Sequence, residues 1–278
     1  MASAPEPVER DSRGILDPGL LRQRVRLTRY PVDDALAGLV DRFWAVRWHL
    51  PPGREHRQQV LTHPAANLSV TLADGQLAAQ CNGVARAVTT RVLTGQGWAV
   101  AAMTTPGGLG AFVTEDASEY TDRVVPLDVI GVDGDALRTA MGEARDETQQ
   151  VALLAEALRS AVRPDRVVGA RQVADVAKLA ETDRSVRRLA DLAERSGVTP
   201  RSLQRMFLRY AGVSPTWVLR RYRLIDAAEA VRDGEQVAWA ELADRLGYAD
   251  QAHLIRDFRA AIGQTPAAYG QSQTRHGL

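Results

Sequence analysis

RSGVTPRSLQRMFLRYAGVSPTWVLRRYR, residues 195–223, is the stretch whose reading decides the fold. It holds seven arginines, at 195, 201, 205, 209, 220, 221 and 223, and no acidic residue, in a chain whose formal net charge is only +1. The basic character is local. Thr199-Pro200 is a helix-start signature, because the hydroxyl can accept from an orphan N–H and proline's fixed φ suits the first helical position. Leu203, Met206, Phe207 and Tyr210 then recur at the three- and four-residue spacing of one buried face. Arg201, Gln204, Arg205 and Arg209 are left pointing away from that face. Arg bonds guanine and Gln bonds adenine bidentately in a major groove, so a short helix presenting Arg, Gln and Arg has the chemistry to read base edges.

The stretch is half of a repeat. LADLAERSGVTPRSLQRMFLRYAGVSP, from Leu189, aligns with WAELADRLGYADQAHLIRDFRAAIGQTP, from Trp239. Leu192-Ala193 matches Leu242-Ala243, and Gly197 matches Gly247. One extra residue in the second turn shifts the register, after which Leu203, Arg205, Phe207, Gly212 and Pro215 match Leu254, Arg256, Phe258, Gly263 and Pro266. Each copy reads as a short helix, a glycine turn and a longer helix, the helix-turn-helix arrangement. A long helix starting at Ser214-Pro215 joins them, burying Trp217, Leu224, Ile225, Ala228 and Val231 against both and ending near Asp233-Gly234.

These motifs, in order and correctly separated over the last 95 or so residues, resemble the DNA-binding domain of the AraC/XylS family of bacterial transcription regulators. In that family two helix-turn-helix units enter successive major-groove segments. The resemblance implies that Arg201, Gln204 and Arg205 contact bases from the first unit, and Gln251, His253 and Arg256 from the second. It makes Thr199, Arg209, Arg220 and Arg221 candidates for phosphate contact, with one of the 220–223 arginines bracing the domain through Asp226 or Glu229. Ala252 and Leu254 stand where the family has a serine and an aromatic, and Asp257 adjoins Arg256. The implied partners are double-stranded promoter DNA and RNA polymerase.

Ahead of this region the pattern is different. Residues 1–26 read as a polar tail with a turn at Asp17-Pro18-Gly19, and MASAPEPVERDSRG lacks the apolar segment of a signal peptide. Between 27 and 133, period-two alternation predicts short strands. In Phe43–Leu50, Trp44, Val46, Trp48 and Leu50 share a face, and Leu68, Val70 and Leu72 precede an Asp74-Gly75 hairpin into Gln76–Cys81. Further strands are predicted over Val84–Leu93, Trp98–Met103 and Leu109–Val113. Such spacing predicts an antiparallel barrel or sandwich. The pieces Tyr30-Pro31, Phe43-Trp44, His63–Leu68, Gly97-Trp98, Pro106-Gly107-Gly108 and Thr121–Pro126 resemble the cupin-like sensory domain of actinobacterial members of the same family. From Gly134 the period is helical. Leu137 and Met141 begin one helix, Val151, Leu154, Leu158 and Val162 form a narrow seam on a second, and Val167–Ala180 is a third. That seam suits either pairing across a homodimer through residues 134–162 or packing on the chain's own barrel.

The expected fold class is therefore α+β in two domains. A cupin-like antiparallel β-barrel over 27–133 is followed by trailing helices over 134–181, and then by an all-α domain with two helix-turn-helix units over 182–278. The expected function is sequence-specific transcription regulation in the cytoplasm, controlled by a small-molecule effector or a partner at the N-terminal domain, with no membrane, metal or cofactor. Trp44, Trp48 and Trp98 read as barrel core, with the lining of a ligand pocket as the alternative. His49, His56 and His63 recur at seven-residue intervals, but odd spacing puts neighbours on opposite strand faces and Pro51, Pro52 and Pro64 interrupt the run, so no metal site is expected. The single Cys81 supports neither a disulfide framework nor a multi-cysteine zinc site. Two rival readings are a metal-dependent cupin-type enzyme fused to a helical domain and a protein-interaction scaffold.

Overall fold

The computed structural model describes residues 12–232 and 239–276. A short helix α1 (Pro18–Arg24) leads into strands β1 (Val25–Tyr30), β2 (Val40–His49), β3 (Glu55–Val60), β4 (Asn67–Ala73), β5 (Gln76–Asn82), β6 (Thr89–Thr94), β7 (Gln96–Thr104) and β8 (Val124–Pro126). Six of them form one antiparallel sheet in the order β1-β2-β7-β4-β5-β8, and β3 pairs with β6 in a separate two-stranded ribbon. The predicted hairpin closes at Asp74 and Gly75, both at positive φ, which is the turn whose twist matches its flanking strands.

The larger sheet is covered on both faces. Phe43, Ala45, Leu68, Val70, Val100 and Ala102 share one face, by the register Leu68↔Ala102 and Val70↔Val100, and bury in the main core. Helices α2 (Gly134–Glu143) and α3 (Glu147–Ala161) close that core. Asp146 caps α3 by accepting from the Gln149 N–H at 2.8 Å. The Tyr30 hydroxyl donates to Glu147 at 2.6 Å, and Arg47 meets the same carboxylate at 3.1 Å, which pins α3 to the sheet. The seam is consumed here, since Val151, Leu154 and Leu158 are at most 1% exposed. Of the two readings of the seam, packing on the chain's own β-domain is the one that holds for Val151, Leu154 and Leu158. An apolar seam at three- and four-residue spacing has the same signature whether a helix or a sheet covers it.

Three other stretches differ from their reading. Leu109–Val113 is no strand; a 3₁₀ turn spans Gly108–Ala111. Gly107 at φ 98° and Gly108, pressed against the Leu39 carbonyl, bend the chain away from extension, while Leu109, Phe112 and Val113 bury in the core. Within Val84–Leu93 only Thr89 onward is extended, and Val84 instead packs among the helices. Within the segment read as a tail, Asp17 caps α1 and Leu16 is buried.

Helix α4 (Pro164–Thr182) carries the chain from the β-domain to α5 (Leu189–Ser196), α6 (Pro200–Ala211), α7 (Pro215–Arg232), α8 (Trp239–Arg245), α9 (Gln251–Ile262) and α10 (Pro266–His276). The Asp233-Gly234 turn expected after α7 lies outside the described residues. All four repeat glycines, Gly197, Gly212, Gly247 and Gly263, adopt positive φ, so the two copies turn alike. Helix α7 is buried nearly all round because it serves both. Its Val218, Leu219 and Tyr222 pack with α4, Leu192, Leu203 and Phe207, whereas its Leu224, Ile225 and Val231 pack with Leu242, Leu254, Phe258 and Tyr269. Leu16 and Leu61 of the N-terminal part join the second of these clusters.

Candidate nucleic-acid interface

Local chemistry sets the position of α6. Pro200 occupies its first position, and the Thr199 hydroxyl accepts from the Ser202 N–H at 3.3 Å and donates to the Ser202 hydroxyl at 3.1 Å. Leu203 and Phe207 are fully buried and fix the helix's rotation. Arg201, Gln204, Arg205 and Arg209 consequently face solvent. None of these three arginines forms an ion pair among the described residues; Arg209 lies 5.5 Å from the Tyr210 ring centroid. On its other side Tyr210 packs against Gly110 and Gly169, where any side chain would collide with its ring, so α6 is seated firmly on the β-domain and α4.

Helix α9 repeats the plan with different side chains. Asp250 caps it by accepting from the His253 N–H at 2.6 Å, and Leu254 and Phe258 are buried as Leu203 and Phe207 are. Gln251 and Arg256 are exposed. His253 is half-buried, edge-on to Tyr248 at 5.2 Å, with Nε2 3.8 Å from the Asp257 carboxylate. Asp257 does not neutralise Arg256. Its oxygens accept from Arg220 of α7 at 3.1 and 3.3 Å, which ties the two helices together.

The expected phosphate set separates. Arg221 is 3% exposed, donates to the Arg86 carbonyl at 2.6 Å and reaches the Thr62 and Ala85 carbonyls at 3.4 and 3.5 Å. Its guanidinium stacks 4.6 Å from the Trp217 ring centroid, and burial pulls its pKa down to about 10. A phosphate contact from Arg221 is thus corrected, because α7 turns 100° per residue and this position faces the β-domain while Arg220 faces out. Arg223 is also spent internally, on the Gly247 and Arg187 carbonyls. Bracing through Asp226 and Glu229 does occur, but not from the 220–223 arginines: Arg13 meets them at 2.7 and 3.1 Å and Glu181 at 2.7 Å, while Arg184 also pairs with Asp226 and Arg232 with Glu229. No local pattern around Arg13 marks this clamp, since the three carboxylates lie more than 160 residues away.

The three tryptophans do not form one pocket. Trp98 lies opposite Arg47 in register, on the main-core face, whereas Trp44 and Trp48 are on the other face. Trp48 belongs to a small apolar cluster with Leu21, Val25 and Leu50, its N–H donating to the Thr94 carbonyl at 2.9 Å. Trp44 is half-buried and donates to Asn67 at 2.9 Å. Beside it Asn82 donates to Ser69 at 3.0 Å and accepts from Arg91 at 2.8 Å. The surface under the β3–β6 ribbon is therefore polar around Trp44. His56 is buried against Gln58, His49 is exposed and His63 faces the Arg13 carbonyl; among the described residues no three metal-ligating side chains come together. Burial raises the Cys81 thiol to about 12, which makes it unreactive.

Two helix-turn-helix units joined by a shared helix define the C-terminal region as a double helix-turn-helix module. Residues 192–272 match the helix-turn-helix domain family, and that region is of the AraC type. Residues 28–126, spanning nearly all of the strands, match a domain of unknown function (DUF6597). The transcriptional activator RhrA of Rhizobium meliloti (strain 1021) is 28% identical over 79 residues, which cover 28% of this chain and 25% of that relative. The chain thus spans about a quarter of the length of this curated relative. The C-terminal domain of AraT from Geobacillus stearothermophilus is 28% identical over 36% of this chain and 84% of that one, with a TM-score of 0.34. ToxT from Vibrio cholerae O395 is 10% identical, covers 91% of this chain and 99% of its own, and gives a TM-score of 0.39.

Proposed function

We propose that the protein is a sequence-specific DNA-binding transcription regulator. Arg201, Gln204 and Arg205 of α6 are the principal base readers, and Gln251 and Arg256 of α9 form a second, weaker set. The observation that carries this reading is the solvent-facing Arg201–Gln204–Arg205 face, free of ion pairs, on a helix whose opposite face is fully buried. A cationic face without internal partners attracts the phosphate backbone, and its bidentate groups suit base edges. Arg209 and Arg220 then serve phosphates, with Thr199 at the helix start.

The β-domain is the sensory part. A small polar effector would sit under the β3–β6 ribbon near Trp44, Asn67, Ser69 and Asn82, and would act by preferring one of two arrangements of the domains. Regulation would include contact with RNA polymerase in the cytoplasm. No helix among the described residues is long and apolar enough to cross a membrane. The test is retention of sheared genomic DNA by the purified protein at physiological salt. Enrichment of discrete fragments supports the reading, and failure to retain any fragment would favour the scaffold alternative.

A further inference from the structure

Among the described residues four large apolar side chains are exposed, Val92, Val124, Val168 and Leu208, and only Leu208 lies on a recognition helix. At 44% exposure it joins neither of the apolar clusters that hold α6. It stands seven, four and three residues beyond Arg201, Gln204 and Arg205, on the same stripe of the helix. That stripe is about 10 Å long at 1.5 Å per residue, within the roughly 12 Å width of a major groove.

The repeat supplies an internal control. Leu203, Phe207 and Gly212 match Leu254, Phe258 and Gly263, so the counterpart of Leu208 is Arg259, also exposed. The fold accepts a full charge at this position, and packing does not explain the leucine. The only apolar group that a base pair offers in the major groove is the C5-methyl of thymine. We infer that Leu208 is a specificity-determining residue that packs on a thymine methyl one helical turn beyond the bases read by Gln204 and Arg205. The inference rests on the proposed DNA reading and names one further base for it. The flanking Arg201, Arg205 and Arg209 suit a nucleic acid as occupant better than an apolar protein surface.

The test starts from duplexes selected from a random pool by the wild-type protein. Each thymine of the half-site bound by α6 is then replaced in turn by uracil, which removes only the methyl group. One replacement should weaken wild-type binding about fourfold, the effect of losing one buried methyl. Leu208→Ala, at an exposed position that leaves the fold intact, should bind the thymine and uracil duplexes equally, and so should Leu208→Arg, which copies the second unit. Insensitivity of the wild type to every uracil replacement, or unchanged sensitivity in Leu208→Ala, would overturn this contact while leaving DNA binding standing. Selection of no duplex at all would overturn the DNA reading and this contact with it.

Discussion

The guanidinium of Arg221, on the helix shared by the two helix-turn-helix units, donates a 2.6 Å hydrogen bond to the carbonyl of Arg86 in the β-domain. This bond makes the shared helix part of the domain interface as well as of the DNA-binding module. Arg221→Ala leaves partly buried carbonyls without this donor and opens space beside Trp217. Chemical denaturation should show a loss of about 2–4 kcal/mol. The salt dependence of DNA binding should stay unchanged, because the residue touches no phosphate; a flatter salt slope would return Arg221 to the phosphate set.

Arg13 adds a second tie, holding Glu181 of α4 and Asp226 and Glu229 of α7 together. The network is partly buried, so Arg13→Ala should cost about 1–2 kcal/mol. Combined with Asp226→Asn it should cost clearly less than the sum of the single changes, since both remove the same contact. Strict additivity in the double-mutant cycle would show that the tie contributes nothing.

Arg220 is exposed but shares its charge with Asp257. Asp257→Asn should leave Arg220 undivided for the phosphate it serves, tightening binding and steepening the salt slope by less than one full phosphate contact. Stability should change by less than about 1 kcal/mol, as expected of a pair with one solvent-exposed member. Titration of affinity against salt concentration measures the first effect and thermal denaturation the second.

His56 gives the β-domain a defined response to acid. Burial, with Arg24 adding to it, holds its pKa below the ordinary 6.5 despite the Gln58 hydrogen bond and nearby Asp17. The unfolded chain therefore binds a proton more readily, so this contribution to stability is complete above pH 6.5 and is lost as pH falls from there toward the folded value. His56→Gln should flatten the stability profile in that window, and an identical profile in the variant would exclude His56 as its source.

Legibility in the sequence followed the range of the forces involved. The two helix-turn-helix units could be read because caps, glycine turns and apolar faces are local, and duplication repeats them: Gly197 and Gly247, Leu203 and Leu254, Phe207 and Phe258. Exposure of Arg201, Gln204 and Arg205 follows from the same periodicity. Arg221 could not be separated from Arg220, because an α7 buried on nearly all sides has no apolar stripe from which to infer direction. The partner of α3 was open for a related reason, since Leu154 and Leu158 suit a sheet as well as a helix. Leu109–Val113 has a strand's composition, and only the close approach of Gly108 to Leu39, about 70 residues earlier, shows why it turns. The clamp at Arg13 depends wholly on long-range packing.

The central claim is that α6 reads bases, and it is tested most directly by selecting duplexes from a random pool with the wild-type protein and with Arg205→Ala. The wild type should yield two half-sites about one helical turn apart, and the variant should lose discrimination at a single guanine in one half-site, weakening binding there by about 1–3 kcal/mol while the rest of the motif persists. An identical motif and affinity from both proteins would contradict the account.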